Sequence, residues 1–426
     1  MESGVLIERL QSGELREKLS AVYAQDQIEH HEKRYVNLIR KFEAEYGAGD
    51  VQIMSAPGRS EILGNHTDHQ QGEILAASIN LDAVAVVRPL PNGEIRLISE
   101  DGAEIVTNSE DDQILEAQFG TTLSLIKGVC AGVRKHGFKT GGFCACVTSD
   151  VLVGAGLSSS AAFEILIGTI LSYLYNEGKI PADINAIIGQ FAENVYFGKP
   201  CGLMDQMACS QGDLVHVNFA DPKNPVIEQV EFDLKEFGYC LCITDTKGSH
   251  VDLTADYACV PKEMKDVAKV LGYEVLRDVT MEELIGAQDV IREKCSDRAL
   301  LRAIHFVQEN KRVQRGVEAL KRKDIQSFLH EVEKSGDSSS KYLQNVYSSK
   351  DPLHQKVVVA LAFSDCFLGD EYGVCRIHGG GFAGTIQAFV KIEKTSEYQK
   401  EMDQIFGKGA CSVLQIRKYG GMRIIE

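Results

Sequence analysis

The sequence predicts a mixed α and β fold divided into two domains, and three observations carry that expectation. At 426 residues the chain is long enough for two domains, or three on length alone. Strand-like and helix-like segments mix through the first half around one unusual stretch, Val151–Ile165, VLVGAGLSSSAAFEI. A Pro-bearing polar stretch, Ala220 to Pro225, then interrupts two strand-like runs. Beyond it, helices dominate from Met281 to Phe363, so a boundary is expected near 220–235.

Residues 5–47 read as helical in at least two pieces, with Tyr35, Leu38, Ile39 and Phe42 at helical spacing and a stop at Tyr46-Gly47. Val51 to Ser55 reads as a short strand that Pro57 and Gly58 break. Arg59, Asn65, His66, Asp68 and His69 then crowd into eleven residues, and such a polar loop between strands is a ligand-contact candidate. Ile74 to Val87 returns to a strand pattern, and Pro91-Asn92-Gly93 and Asp101-Gly102 signal turns of hairpins. A helix is expected over Leu123 to His136 and a strand over Gly141 to Ser149. The helix expected over Asp183 to Phe197 stops at Gly198-Lys199-Pro200-Cys201-Gly202. Asp205 is then the one carboxylate in the neutral segment Leu203 to Cys209, where its spacing suits an N-cap or turn as well as catalysis. Strands are expected at Asp213–Phe219 and Cys240–Thr246, and a charged helix at Tyr257–Leu271. Near the end, Gly379, Gly380 and Gly381 precede a strand-like Ile386 to Ile392, a pattern that a tight turn would also explain.

Within the central stretch, Val151 to Val153 read as the end of a buried strand. Gly154, Ala155 and Gly156 let the backbone approach something bulky, and Ser158, Ser159 and Ser160 open an apolar helix, Ala161 to Leu174. That order builds an anion site, because unpaired first-turn amides and the positive helix end converge on one point. The three hydroxyls add donors, and one of them suits Mg²⁺. An ordinary loop with a serine N-cap fits the same string. No GxxxxGK[ST] P-loop is present, and GAGLSS lacks the third glycine of a dinucleotide fingerprint.

A formal charge of −16 argues against nucleic acid or an anionic membrane surface as a partner. The basic run Lys311 to Lys323 is interleaved with Glu309, Glu318 and Glu331, as on a solvated helix face. Met1 to Ser20 carries Glu2, Glu8, Arg9, Glu14, Arg16, Glu17 and Lys18, which suits no signal peptide, and no apolar run approaches membrane-spanning length. Twelve cysteines without a CxxC point to small buried hydrophobes in a reducing, cytoplasmic setting, with no zinc site expected.

Three stretches stand in one order: APGRSEILGNHTDH at 56–69, VGAGLSSSAA at 153–162 and HGGGFAGT at 378–385. Together they resemble the GHMP small-molecule kinase superfamily, and within it the galactokinase branch. The segment GKPCGLMDQMACSQG, 198–212, resembles the galactokinase segment that carries the catalytic aspartate. The similarity runs from about Phe42 to the C-terminus. The resemblance implies an α+β, two-domain GHMP kinase fold. A helical lead-in (1–45) would precede a ribosomal-S5-like N-terminal domain (46–228) and a ferredoxin-like C-terminal domain (229–426), with the active site in the cleft between them. It also implies an ATP- and Mg²⁺-dependent transfer to the C1 hydroxyl of galactose by a monomer that binds neither nucleic acid nor membrane. By the same resemblance Asp205 takes the sugar proton, and Arg59 keeps that carboxylate ionised. Gly154, Ala155, Gly156, Leu157, Ser158, Ser159 and Ser160 wrap the ATP phosphates, and Ser160 and Glu193 hold the metal. Asn65, His66, Thr67, Asp68, Gly202 and Tyr257 contact the sugar. Tyr257 lies in Asp256-Tyr257, where the family has Glu-Tyr.

Galactokinases usually read GRVNLIGEHTDY where this chain reads GRSEILGNHTDH. The glutamate that would grip the C6 hydroxyl is Asn65, the family's asparagine is Glu61, and its tyrosine is His69. A carboxylate gains about 1.5–3 kcal/mol from a hydroxyl it accepts, whereas an amide also donates to an anion. The run HTDHQQGEILAASIN is similar to galacturonokinases, so galacturonate is the alternative substrate. A non-catalytic sugar and ATP sensor is a more distant reading. Such relatives can carry a shortened serine loop, whereas here SSSAA, Asp205, Arg59 and Glu193 are all present.

Overall fold

The computed structural model describes residues 1–99, 102–151, 157–222, 224–248 and 253–425. Among these residues twelve strands form two sheets. They are β1 (Gln52–Leu63), β2 (Glu73–Leu90), β3 (Glu94–Ile98), β4 (Glu104–Asn108), β5 (Gly142–Ser149) and β6 (Leu214–Asn218). The second half adds β7 (Val226–Val230), β8 (Tyr239–Asp245), β9 (Gly373–Ile377), β10 (Thr385–Lys391), β11 (Cys411–Leu414) and β12 (Met422–Ile425). The larger sheet runs β12-β1-β2-β5-β3-β4, with β6 on the first half of β2 and β7 on β6. The smaller runs β11-β8-β10-β9 and is antiparallel throughout. The last strand thus returns from the second half of the chain to pair with β1.

Three expected elements are corrected. Pro57 and Gly58 do not break a strand: β1 continues to Leu63, and its ladder to β2 shifts register between Pro57, opposite Asp82, and Arg59, opposite Ser78. A bulge is where a residue without an N–H is tolerated in a sheet. In turn, β5 ends at Ser149, leaving Val151 in a bend with its side chain buried, while Leu152 and Val153 lie outside the described residues. The helix expected over 183–197 is α-helical only from Ala182 to Phe191 and π-helical from Ala192 to Phe197.

Alternation along β2 and β5 divides the larger sheet's two faces. Ala83, Ala85, Val87, Phe143, Ala145 and Val147 join a core with the Ser159–Tyr175 helix. That same core takes in Leu241, Ile243, Phe389 and Leu414 of the second sheet and Val313, Val317 and Phe328 of the helices beside it, so it is continuous between the sheets. Val84, Val86, Cys144 and Cys146 point the other way. There Tyr35, Leu38, Ile39 and Phe42 of the Ile28–Tyr46 helix cover them, together with Leu6 and Leu10 of the Ser3–Gln11 helix. The lead-in is the second layer over this face. One buried charge anchors it: Asp82 accepts from Arg34 of the lead-in at 2.7 Å, Arg417 at 2.9 Å, Tyr23 at 2.6 Å and also Ser55.

Candidate active site

The ladder shift in β1 delivers Arg59 to the site. Gly58 lies against the end of the glycine-serine loop, where a Cβ would stand 3.0 Å from Val151 Cγ1 and 3.1 Å from the Leu157 carbonyl. With no side chain in the way, the Arg59 N–H donates to that carbonyl at 3.3 Å and fixes the loop's end on the strand. The buried Arg59 guanidinium donates through Nε to Asp205 Oδ1 at 2.7 Å. Asp205 occupies the first turn of the Met204–Gln211 helix, and its carboxylate keeps 26% of its surface exposed. Ser158 donates to the other oxygen, Oδ2. Burial alone would raise the Asp205 pKa. The Arg59 charge and hydrogen bond, the Ser158 hydroxyl and the Lys199 charge outweigh it and hold the carboxyl below its ordinary range.

Ser158 sits at φ +55° as the residue before the Ser159–Tyr175 helix, and its hydroxyl is given to Asp205 instead of capping the helix. No side chain among the described residues caps that helix start, and the Ser158 hydroxyl bond holds the Asp205 carboxylate beside it. Leu157 is buried in the core, and Gly154, Ala155 and Gly156 lie outside the described residues.

In the first turn of that helix, Ser160 donates to Glu193 Oε1 at 3.0 Å. Glu193 is buried on the π-helical turn, a local widening that shifts a side chain out of its α-helical direction. Its Oε1 also accepts from Lys199 Nζ at 2.9 Å, and its Oε2 from Gln206 Nε2 at 2.8 Å. Gln206 in turn donates to Glu164 Oε2 at 2.9 Å, while Glu164 Oε1 and Gln206 Oε1 are buried with no hydrogen-bond partner among the described residues. Burial first, and the Glu193 charge next, push the Glu164 carboxyl well above its ordinary value and favour its neutral form. Glu164→Gln replaces one neutral group by another of the same shape, and kcat and Tm are expected to stay near wild type. Glu164→Ala leaves one buried N–H of the Gln206 amide without its acceptor, and thermal unfolding should show a loss of about 1–3 kcal/mol.

Beyond Asp205, the loop after β1 meets the glycine turn from the second half of the chain. His66, at φ +59°, donates from Nε2 to the Gly380 carbonyl at 2.9 Å, and Tyr257 donates to the Gly381 carbonyl at 2.7 Å. A Cβ at Gly380 would lie 2.6 Å from the Tyr257 ring, and one at Gly202 would lie 1.8 Å from Asp68 Oδ2. These two glycines let His66, Asp68, Gly202 and Tyr257 gather around one space. Burial pushes the His66 imidazole down to about 4, so it is neutral there. Asn65 and Thr67 are spent on the protein itself. The Asn65 amide donates to Glu61 at 3.1 Å and to the Gly379 carbonyl at 2.7 Å, and accepts from Asn345 at 2.8 Å and Ser339 at 3.2 Å. Thr67 donates to the carbonyls of Gly64 and Glu73. Glu61, the other half of the exchanged pair, takes Arg376 at 3.0 Å.

Residues that the motifs did not single out complete the site: Lys199, Glu164, Gln206 and the buried pair Ser60–His378, 3.0 Å apart, which joins β1 to the segment after β9. Gln206 directly follows Asp205, and Lys199 lies in the helix-stop signal, so both stood beside residues already marked.

Comparison with known proteins now bears on this geometry. Residues 40–89 match the family model of the galactokinase galactose-binding signature, and residues 124–213 match that of the GHMP kinases N terminal domain. The galactokinase of Homo sapiens is 31% identical over 383 residues, which cover 88% of this chain and 93% of the human protein. The chain belongs to the galactokinase family. The galactokinase of Canis lupus familiaris is 32% identical over 389 residues, with 88% of this chain and 93% of the dog protein covered. The crystal structure of Lactococcus lactis galactokinase complexed with galactose superposes with a TM-score of 0.76 at 22% identity, over 90% of this chain and 98% of that one. A mevalonate kinase structure follows the same fold with a TM-score of 0.59 at 18% identity, over 85% of this chain and 98% of its own. The architecture is the two-domain GHMP kinase fold. Galactokinase-family membership makes the chain a sugar kinase, a phosphotransferase with an alcohol acceptor and ATP as donor. No helix among the described residues is long and apolar enough to cross a membrane.

Proposed function

We propose that this galactokinase-family chain transfers the γ-phosphoryl group of ATP to the anomeric C1 hydroxyl of galactose, giving galactose 1-phosphate and ADP. The observation that carries the reading is the Asp205 carboxylate held between Arg59 Nε and the Ser158 hydroxyl at an uncapped helix start. Phosphoryl transfer asks for alignment and charge neutralisation more than for covalent chemistry. The helix-start amides and Ser158 to Ser160 bind phosphate oxygens, and Arg59 stabilises charge on the transferring group. Asp205 accepts the C1 proton. An anomeric hydroxyl is more acidic than an ordinary alcohol, so a carboxylate with a depressed pKa still serves late in the reaction.

Ser160 and Glu193 suit a small hard cation. They offer a hydroxyl and a buried carboxylate oxygen 3.0 Å apart, and an ammonium already rests on that carboxylate oxygen. They would hold Mg²⁺, which neutralises charge on the β- and γ-phosphates when bound. His66, Asp68, Gly202 and Tyr257 bind the sugar hydroxyls, while Asn65 and Thr67 shape the loop that presents them.

A second reading, galacturonate at the same site, rests on the committed Asn65 amide. Position 65 offers no carboxylate to repel a C6 carboxylate, and His69 stands one-third exposed beside Asp68. Initial rates with ATP and each sugar test the choice. Galactose is expected to have the higher kcat/KM, and a clearly higher value for galacturonate overturns it.

A further inference from the structure

Lys199 enters the site from a fixed root. Its backbone N–H donates to the Glu193 carbonyl at 3.1 Å, Gly198 before it takes φ +77°, and Pro200 follows. The side chain is 59% exposed, so only its tip is engaged, and that tip lies on Glu193 Oε1. Ser160 reaches the same oxygen at 3.0 Å. The other oxygen is already held by Gln206. A cation taking Ser160 and Glu193 as ligands must therefore share Oε1 with Lys199 or displace it. The charge of Lys199 also acts on Asp205, so the ammonium that rests on Glu193 stands within electrostatic reach of both carboxylates.

We infer that Lys199 is a resident counter-ion for Glu193, yielding that carboxylate to the metal and then placing its ammonium on the transferring phosphoryl group. The inference rests on the Mg²⁺·ATP reading of Ser160 and Glu193. A flexible ammonium with three rotatable donors suits both positions, since it is a point charge and needs no fixed fork geometry. Arginine at 199 would instead grip Glu193 through two parallel hydrogen bonds and yield less readily.

The test is Mn²⁺ binding to the nucleotide-free protein, read from the electron paramagnetic resonance signal of free Mn²⁺, together with steady-state kinetics. Lys199→Met removes a competitor from the metal-competent state and is expected to bind Mn²⁺ about 10-fold more tightly than wild type. Its kcat should nonetheless fall by about 10- to 100-fold, through loss of one positioned cation. Lys199→Arg should bind Mn²⁺ more weakly than wild type. A lysine with a merely structural role would lower both affinity and rate, so the opposite signs are diagnostic. An Mn²⁺ affinity of Lys199→Met no greater than wild type, or an unchanged kcat, overturns the inference. Glu193→Gln separates the two levels. If it binds Mn²⁺ as wild type does, the metal reading itself fails and the lysine role with it. If it loses Mn²⁺ while Lys199→Met gains nothing, the lysine role alone fails.

Discussion

Asp205→Asn is expected to lower kcat by about 10²- to 10⁴-fold, the range lost when a positioned general base is removed. The amide keeps the shape and still accepts from Ser158, but it takes no proton and removes the negative charge that Arg59 Nε meets. KM for the sugar should change far less than kcat, since the proposed hydroxyl contacts sit on His66, Asp68, Gly202 and Tyr257. The pH profile carries a second sign. The Asp205 pKa is depressed, so the ionised base persists to low pH, and kcat/KM should lose no activity to Asp205 protonation above about pH 4, the ordinary aspartate value. An acid limb near pH 6 that vanishes in Asp205→Asn would contradict this.

Asp82→Ala carries the largest expected effect on stability. The carboxylate is fully buried between Arg34 and Arg417, with Tyr23 and Ser55 completing its shell. Removing one partner of a buried pair costs about 3–5 kcal/mol, and here the fully buried Arg417 loses its carboxylate while Arg34 keeps Asp150 at 2.7 Å. Urea unfolding should show the loss, with the lead-in released first. The sign with pH follows from the same geometry. Burial would raise the Asp82 pKa, but Arg34 and Arg417 hold it below the ordinary value. A depressed carboxylate contributes stability that is present above its unfolded pKa, near 3.9, and lost as pH falls through the folded one. Wild type should therefore lose this contribution below about pH 4, and Asp82→Ala should not.

What was legible in the sequence follows what is local. The serine-started helix, the polar cluster after β1 and the glycine turn each announce themselves by composition within a dozen residues, and their common order pointed to the family. The apolar run Ile74 to Val87 read as a strand, and the spacing of Tyr35, Leu38, Ile39 and Phe42 read as a helix. That these two cover each other is a pairing over long sequence distance, which no periodicity reports. The same is true of Asp82 with Arg417, which are 335 residues apart. Pro57-Gly58 read as a strand end because the rule for proline is local, while the bulge that accommodates it depends on β2. The π-helical turn under Glu193 is a backbone register with no sequence signature, so the residue was named by resemblance and its neighbours Lys199 and Glu164 were not. Asn65 was read as a sugar contact by its resemblance to the family's glutamate, and its hydrogen bonds to Gly379, Ser339 and Asn345 join it to the other end of the chain, which no local pattern reports.

The most direct measurement is a ³¹P NMR time course of purified protein with Mg²⁺, ATP and galactose, run beside Asp205→Asn. The account predicts growth of an anomeric sugar phosphate signal in step with ADP for wild type, and no comparable growth for the variant. Loss of ATP without a C1 phosphate, or equal product from both proteins, would contradict it.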